Sequence, residues 1–356
     1  MRRAYIKRYG ICSALGENLP SCVRALGGGN LTPPAEFMHI QEASDDYIVP
    51  YYKAKENFDG LINNIESLPE NTTLFVGSSS FGVDLNEQTY AKDGLKDLGY
   101  VYQVPSLCKK LGVGSHYYFF NTACTSSANA LIYAARMIKE GIVDNALVIG
   151  VEVQNMLSLC GFMSLGLISK DGIKPFDKNR NGIVLGEAYG FALLSSQENS
   201  WEFTEGEILN DISNITTPSK DGKTLQTVIE KTLYNAGVKA SQIDLIKLHA
   251  TASNSNDISE NNAICKVFGQ SVPTCAALKG YIGHTLGACG VCELALLLGA
   301  LDNGFIPKSL GFETKDESFD IIPTMQKSAW NGKYILFNYL AFGGNSAAFL
   351  IKKGGN

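Results

Sequence analysis

The sequence predicts an α/β protein made of two halves of similar size, on three observations. Strand-like apolar runs alternate along the chain with longer segments of helical period, the pattern of sheets covered by helices. Of the 356 residues, 45% are hydrophobic and 18% charged, which suits a large buried core and rules out disorder for most of the chain. Ser195–Trp201 (Ser-Ser-Gln-Glu-Asn-Ser-Trp) is the most polar junction between two strand-like runs. The boundary is set there, giving an N-terminal half, 1–196, and a C-terminal half, 197–356.

In the first half, Ala4–Tyr9, Leu74–Gly77, the aromatic Tyr117–Asn121, Ala146–Val153 and Tyr189–Ser195 read as strands. Ser126–Glu140 reads as a helix, because Ala128, Leu131, Ile132, Ala135 and Ile138 recur at helical spacing. In the second half, strands are expected at Glu207–Leu209, Ile243–Leu248, Lys333–Tyr339 and Ala347–Lys352. Helices are expected at Lys223–Ala236, Ser259–Phe268 and Cys289–Asn303. Thirty-six glycines against eleven prolines suit elements joined by tight turns, and no heptad array or short repeat interrupts them. Gly27-Gly28-Gly29 lacks the spacing of a nucleotide-binding turn and is expected to be a plain loop.

A net charge of −5 argues against a protein that coats nucleic acid with a basic face. No apolar run approaches the roughly 20 residues needed to span a bilayer, so no membrane insertion is expected. The basic start, Met1-Arg2-Arg3-Ala4-Tyr5-Ile6-Lys7-Arg8, is not followed by an apolar signal core. A cytoplasmic location is expected. The nine cysteines are odd in number and unevenly spread, so reduced thiols are expected rather than a disulfide framework.

Three segments carry chemistry. In Asn121-Thr122-Ala123-Cys124-Thr125-Ser126-Ser127-Ala128, an aromatic strand turns into a helix and sets Cys124 near the helix N-terminus. Unpaired N–H groups and the helix dipole there favour a thiolate, the reactive form of cysteine. A buried structural cysteine is the competing interpretation. In Leu248-His249-Ala250-Thr251-Ala252-Ser253 a strand delivers His249 into a polar loop. In Leu278-Lys279-Gly280-Tyr281-Ile282-Gly283-His284-Thr285-Leu286-Gly287-Ala288 a glycine-rich loop carries His284 into an apolar helix. Two of the four histidines thus sit in polar or glycine-rich loops.

In this order, the three segments resemble the active-site motifs of the β-ketoacyl synthases, condensing enzymes of the thiolase superfamily. Lys174-Pro175-Phe176-Asp177, Gly186-Glu187, Leu340-Ala341-Phe342-Gly343-Gly344-Asn345-Ser346 and the opening Tyr9-Gly10-Ile11-Cys12 extend the resemblance over nearly the whole chain. It implies a thiolase-like fold, two similar α/β halves in a five-layered α-β-α-β-α sandwich, with the active site at their junction.

The resemblance further implies that Cys124 accepts an acyl chain from acyl carrier protein and that His249 and His284 stabilise the enolate formed from a malonyl extender. Phe342, Gly343 and Gly344 match the family's gating loop, and the N–H groups of Cys124 and Phe342 would form its oxyanion hole. Lys279 matches the family lysine and is expected to act through Glu293. No cofactor is implied beyond the carrier protein's phosphopantetheine, and no metal. Cys289 and Cys292 form a C-x-x-C without a second pair and are expected to be core thiols.

The chain is shorter than the common fatty-acid elongating enzymes, and its compact form is similar to synthases of aryl-polyene and type II polyketide-like pathways. A homodimer or a heterodimer with a related subunit is expected. The competing interpretation is a non-catalytic partner of the chain-length-factor kind, which usually lacks the nucleophilic cysteine. A thiolase would carry a second catalytic cysteine near the C-terminus, and none follows Cys292.

Overall fold

The computed structural model describes residues 2–28, 36–42, 45–93, 100–212 and 214–354. The chain opens with β1 (Ala4–Ser13), α1 (Leu19–Gly27), the hairpin β2 (Glu36–Glu42) and β3 (Asp45–Tyr51), α2 (Phe58–Asn63) and β4 (Thr72–Gly77). There follow α3 (Val83–Asp93), α4 (Tyr100–Leu111), β5 (Tyr117–Phe120), α5 (Ser126–Lys139), β6 (Asn145–Glu152), α6 (Met156–Ser164) and β7 (Ala188–Ser195). Then come β8 (Trp201–Asn210), α7 (Lys223–Ala236), β9 (Leu245–Lys247), α8 (Asn254–Phe268), β10 (Thr274–Ala276) and the one-turn α9 (Lys279–Ile282). The chain closes with α10 (Cys289–Asp302), the short pair β11 (Phe305–Ile306) and β12 (Ser328–Ala329), β13 (Tyr334–Leu340) and β14 (Asn345–Lys353).

Ten strands join in the order β10-β9-β13-β14-β8-β1-β7-β6-β4-β5. On either side of the β1–β8 pair the order is the same: the third, second, fourth, fifth and first strand of its own set. The senses repeat as well. β4 is parallel to β5 and β6, β9 is parallel to β10 and β13, and the remaining neighbours are antiparallel.

Successive strand residues point to opposite faces, and each face has its own helices. Phe75, Ala146 and Val148 belong to one core with Ala128, Leu131 and Ile132 of α5, Leu294 and Leu298 of α10, and Phe337 and Phe349 of β13 and β14. From the opposite face, Leu74, Val76, Leu147 and Ile149 join Leu61 and Ile62 of α2 and Val104 and Leu107 of α4. Leu336, Ala348 and Leu350 join Leu225, Val228 and Ile229 of α7 and Ile264 of α8. The layers therefore run helix, sheet, helix, sheet, helix.

Helix α10 is buried from Cys289 to Leu301 and apolar there except for Glu293, as suits a helix between two sheet layers. Its contact with α5 is backbone-close: a Cβ on Gly290 would fall 2.1 Å from the Ala128 nitrogen.

Several elements differ from the sequence expectation. β8 spans ten residues rather than three, because its polar positions alternate with buried ones. α8 begins at Asn254, five residues before the expected start. Its polar first turn hides the helical period, although Asp257 there suits the positive end of the helix dipole. α1, with its Asn18–Ser21 capping box, and the elements between Glu36 and Asn63 were not anticipated. Gly28 caps α1, and Gly29 lies outside the described residues.

Candidate active site

β5 feeds a single 3-10 turn, Ala123–Thr125, that continues into α5 and carries Cys124. Ala123 has a φ of 51°. The loops bearing the histidines are built in the same way: Ala250, Ala252 and Leu286 have φ values of 49°, 66° and 39°. Each L-residue held there costs roughly 1–2 kcal/mol, and such strain gathers at functional sites. Four of the six described non-glycine residues in this conformation lie within three residues of Cys124, His249 or His284.

β9 runs into His249, whose peptide is clamped by a buried acid. The N–H groups of His249 and Ala250 donate to the Glu260 carboxylate at 2.6 and 2.8 Å. α9 carries Lys279 and leads to His284. The His284 N–H donates to the Val184 carbonyl at 2.7 Å, and its carbonyl accepts from Gly186 N–H at 3.1 Å. That clip joins the Gly186-Glu187 segment to the histidine loop.

The three residues meet. His284 Nε2 lies 3.1 Å from the Cys124 sulfur, and the rings of His249 and His284 stand edge to face, 5.4 Å apart. Lys279 Nζ lies 3.4 Å from His249 Nδ1 and 2.6 Å from Glu293 Oε1. Glu293 is shared: its Oε2 accepts from Lys247 Nζ at 2.5 Å. Lys247 also donates to the Asn338 carbonyl at 3.0 Å and lies 3.4 Å above the centre of the Tyr339 ring. All three charged side chains are 0% exposed, so each depends on its partners for the hydration it has lost.

Burial and charge set the protonation states. Burial, followed by the Lys279 charge, holds His249 and His284 well below the usual histidine value, and both are neutral at physiological pH. Burial lowers Lys247 to about 8. Burial also pushes the Cys124 thiol well up, against the Lys279 charge and a hydrogen bond from the Phe342 backbone N–H. Burial thus opposes the helix N-terminus, which favours the thiolate.

Phe342, Gly343 and Gly344 form the turn between β13 and β14. Gly343 N–H donates to the Ile215 carbonyl at 2.6 Å, and the Gly344 carbonyl accepts from Asp211 N–H at 2.7 Å. A Cβ on Gly344 would lie 1.8 Å from the Asp211 oxygen, at a φ of 78° that already demands glycine. The next residue, Asn345, accepts from Thr125 Oγ1 at 2.6 Å and Asn129 Nδ2 at 3.0 Å, tying the turn to α5. The Phe342 ring packs on Phe162 of α6, centroids 5.2 Å apart. Cys124, both histidines, Thr251, Phe162 and Phe342 border one cavity of about 140 Å³.

Two residues of the site, Lys247 and Glu260, were missed in the sequence. Lys247 left a signal, a lysine inside the apolar run Ile243–Leu248, since a charge in a buried strand needs a partner. Glu260, in a polar stretch, left none. Cys289 was expected to be a core thiol. It is buried in the same apolar core as Cys292, and its sulfur also lies 3.2 Å from His284 Nδ1. Among the described residues no group of three His, Cys, Asp or Glu side chains is arranged to hold a metal.

Two family models, described as the N-terminal and C-terminal domains of β-ketoacyl synthase, match residues 63–200 and 205–313, together well over half of the chain. The chain belongs to the β-ketoacyl synthase family. It is 29% identical to the chloroplastic 3-oxoacyl-[acyl-carrier-protein] synthase II of Arabidopsis thaliana, over 69% of this chain and 49% of that protein. It is 30% identical to the plant's chloroplastic synthase I, over 67% of this chain and 54% of that protein. The chain thus spans about half the length of these relatives. Among solved structures, the ketosynthase ApeO in complex with its chain length factor ApeC, from Xenorhabdus doucetiae, matches with a TM-score of 0.86. The identity there is 23%, over 99% of this chain and 98% of that one. A β-ketoacyl synthase from Burkholderia phymatum STM815 matches with a TM-score of 0.84 at 20% identity over 100% of both chains. The fold of the chain is thus the thiolase-like one of these solved structures.

Proposed function

We propose that this chain is a 3-oxoacyl-[acyl-carrier-protein] synthase, an acyltransferase that lengthens a carrier-bound acyl chain by decarboxylative condensation. The observation that carries this reading is the 3.1 Å approach of His284 Nε2 to the Cys124 sulfur, with His249 beside it on the same cavity.

In the first half-reaction the Cys124 sulfur attacks the acyl thioester carbonyl, and the carrier's phosphopantetheine sulfur leaves with the Cys124 proton. The N–H groups of Cys124 and Phe342 are suited to hold the tetrahedral oxyanion. A malonyl thioester then loses carbon dioxide. The electrons of the broken C–C bond pass into a thioester enolate, whose oxygen the Nε2–H groups of His249 and His284 stabilise. The enolate carbon attacks the acyl-Cys124 carbonyl, the C–S bond breaks, and the departing Cys124 thiolate takes a proton from solvent water. Lys279, next to His249 Nδ1 at 3.4 Å and to Glu293, keeps that histidine neutral with its proton on Nε2.

The partners follow from this reading: acyl carrier protein, and a second subunit, identical or related. β5 is one of the two outer strands of the sheet, with Tyr118 43% exposed and the nearby Tyr133 of α5 45% exposed, an open edge that natural sheets usually cover. The ketosynthase–chain length factor structures among its neighbours support a heterodimer in particular. We place the division between halves at 196/197, next to the β1–β8 pair where the strand order starts to repeat. A cytoplasmic site suits nine cysteines in the reduced state. No described helix is long and apolar enough to cross a membrane. The aryl-polyene or type II polyketide-like branch remains our choice of pathway class.

The test incubates the purified chain with acyl- and malonyl-carrier protein and measures 3-oxoacyl-carrier protein and carbon dioxide. Product formed by the wild type and lost in Cys124→Ala supports the proposal. No product from any acyl donor, with or without a partner subunit, overturns it.

A further inference from the structure

Sulfur flanks His284 on both sides. Its Nε2 lies 3.1 Å from the Cys124 sulfur, and its Nδ1 lies 3.2 Å from that of Cys289. Thr285 Oγ1 donates to the Cys289 sulfur at 3.5 Å. That sulfur therefore accepts from the threonine and keeps its own S–H to give. Burial pushes the Cys289 thiol up to about 11, so the proton is present at neutral pH. Among the described residues no other hydrogen bond reaches Nδ1 of His284.

A neutral imidazole carries one N–H, and the nitrogen that accepts a hydrogen bond is the one without it. His249 meets this condition through Lys279, which can only donate. Cys289 is the corresponding donor for His284, supplied from the first turn of α10, where the Gly290 contact with α5 fixes the backbone. We propose that Cys289 is a positioning residue: it gives its S–H to Nδ1 of His284 and so fixes the proton of that ring on Nε2, facing Cys124. The catalytic consequence rests on the proposed role of His284 as a donor to the enolate oxygen. In the other tautomer Nε2 would present a lone pair to a developing negative charge.

The test uses the full-length chain with 15N-labelled histidine, His284 being assigned by comparison with His284→Gln. At pH 7.5 the wild type is expected to show His284 with Nε2 protonated and Nδ1 as a hydrogen-bonded acceptor. Cys289→Ala should introduce a visible population protonated on Nδ1, and Cys289→Ser, which restores a donor, should remove it. Malonyl-carrier-protein decarboxylation should fall by about five- to tenfold in kcat in Cys289→Ala, the worth of one hydrogen bond. KM should stay unchanged, and Cys289→Ser should recover the rate. A wild-type spectrum with the proton on Nδ1, or no tautomer change in a folded Cys289→Ala, overturns the proposal. The wild-type spectrum alone decides if the alanine variant does not fold. If the tautomer pattern holds but no decarboxylation occurs, the functional reading fails and the role of Cys289 in fixing the tautomer stands.

Discussion

His284 Nε2 lies 3.1 Å from the sulfur of Cys124, although 160 residues separate them. Repetition in the fold brings them together. Each follows the third strand of its own five-strand set and precedes the helix that lies between the sheets, α5 for Cys124 and α10 for His284. Where those helices touch, the contact is backbone to backbone, at Gly290 against Ala128.

Gly290→Ala is therefore expected to damage stability and activity together. The new methyl would fall 2.1 Å from a main-chain nitrogen that cannot step aside. Overpacking of this kind costs about 1–3 kcal/mol, measurable as a lower denaturant midpoint. Wild-type stability with wild-type turnover would show that α5 and α10 are not held this closely.

Each histidine should matter by the amount typical of a charge-stabilising donor. His249→Ala and His284→Ala are each expected to lower malonyl decarboxylation by about 10²–10³ while leaving the fold intact by circular dichroism. A loss under tenfold in either variant would remove that residue from the enolate site.

Neither histidine should titrate near its ordinary value. Burial and the Lys279 and Lys247 charges lower both, and a base whose pKa is lowered stays unprotonated as the pH falls through 6.5. Neither imidazole is expected to show a protonation step of its own by NMR from pH 8 to pH 6. Lys247→Met, which removes one neighbouring charge, should move both pKa values upward. A midpoint near 6.5 in the wild type would contradict this electrostatic account.

Much of this site was legible because its residues interrupt their surroundings. Cys124, His249 and His284 each end an apolar or glycine-rich run at a turn, and Phe342-Gly343-Gly344 separates two apolar strands. The central helices showed their period because one face, or every face, is buried. The sequence could not show that Glu293 answers to two lysines, because Lys247 lies 46 residues away and meets it only in the folded chain. Nor could the motif show the burial that opposes a thiolate at Cys124: desolvation comes from the whole fold, while the helix end is visible locally. The elements from Glu36 to Asn63 are short and of mixed polarity, without a period long enough to read.

Glu293 should be the least replaceable of the buried charges. Glu293→Gln leaves Lys247 and Lys279 without the carboxylate that both contact, where all three side chains are fully buried. Removing one partner of a buried pair costs about 3–5 kcal/mol, so denaturant unfolding should show a loss of that order. A loss below about 1 kcal/mol would mean that the lysines shed their charge or reach water.

The most direct test of the central claim is intact-protein mass spectrometry after the chain meets a panel of acyl-carrier-protein thioesters, with Cys124→Ala run alongside. The account predicts an acyl mass on the wild type that is absent from the variant, with the preferred acyl group identifying the substrate class. An acyl mass retained in Cys124→Ala, or no acyl mass from any donor, would contradict Cys124 as the acceptor of the acyl chain.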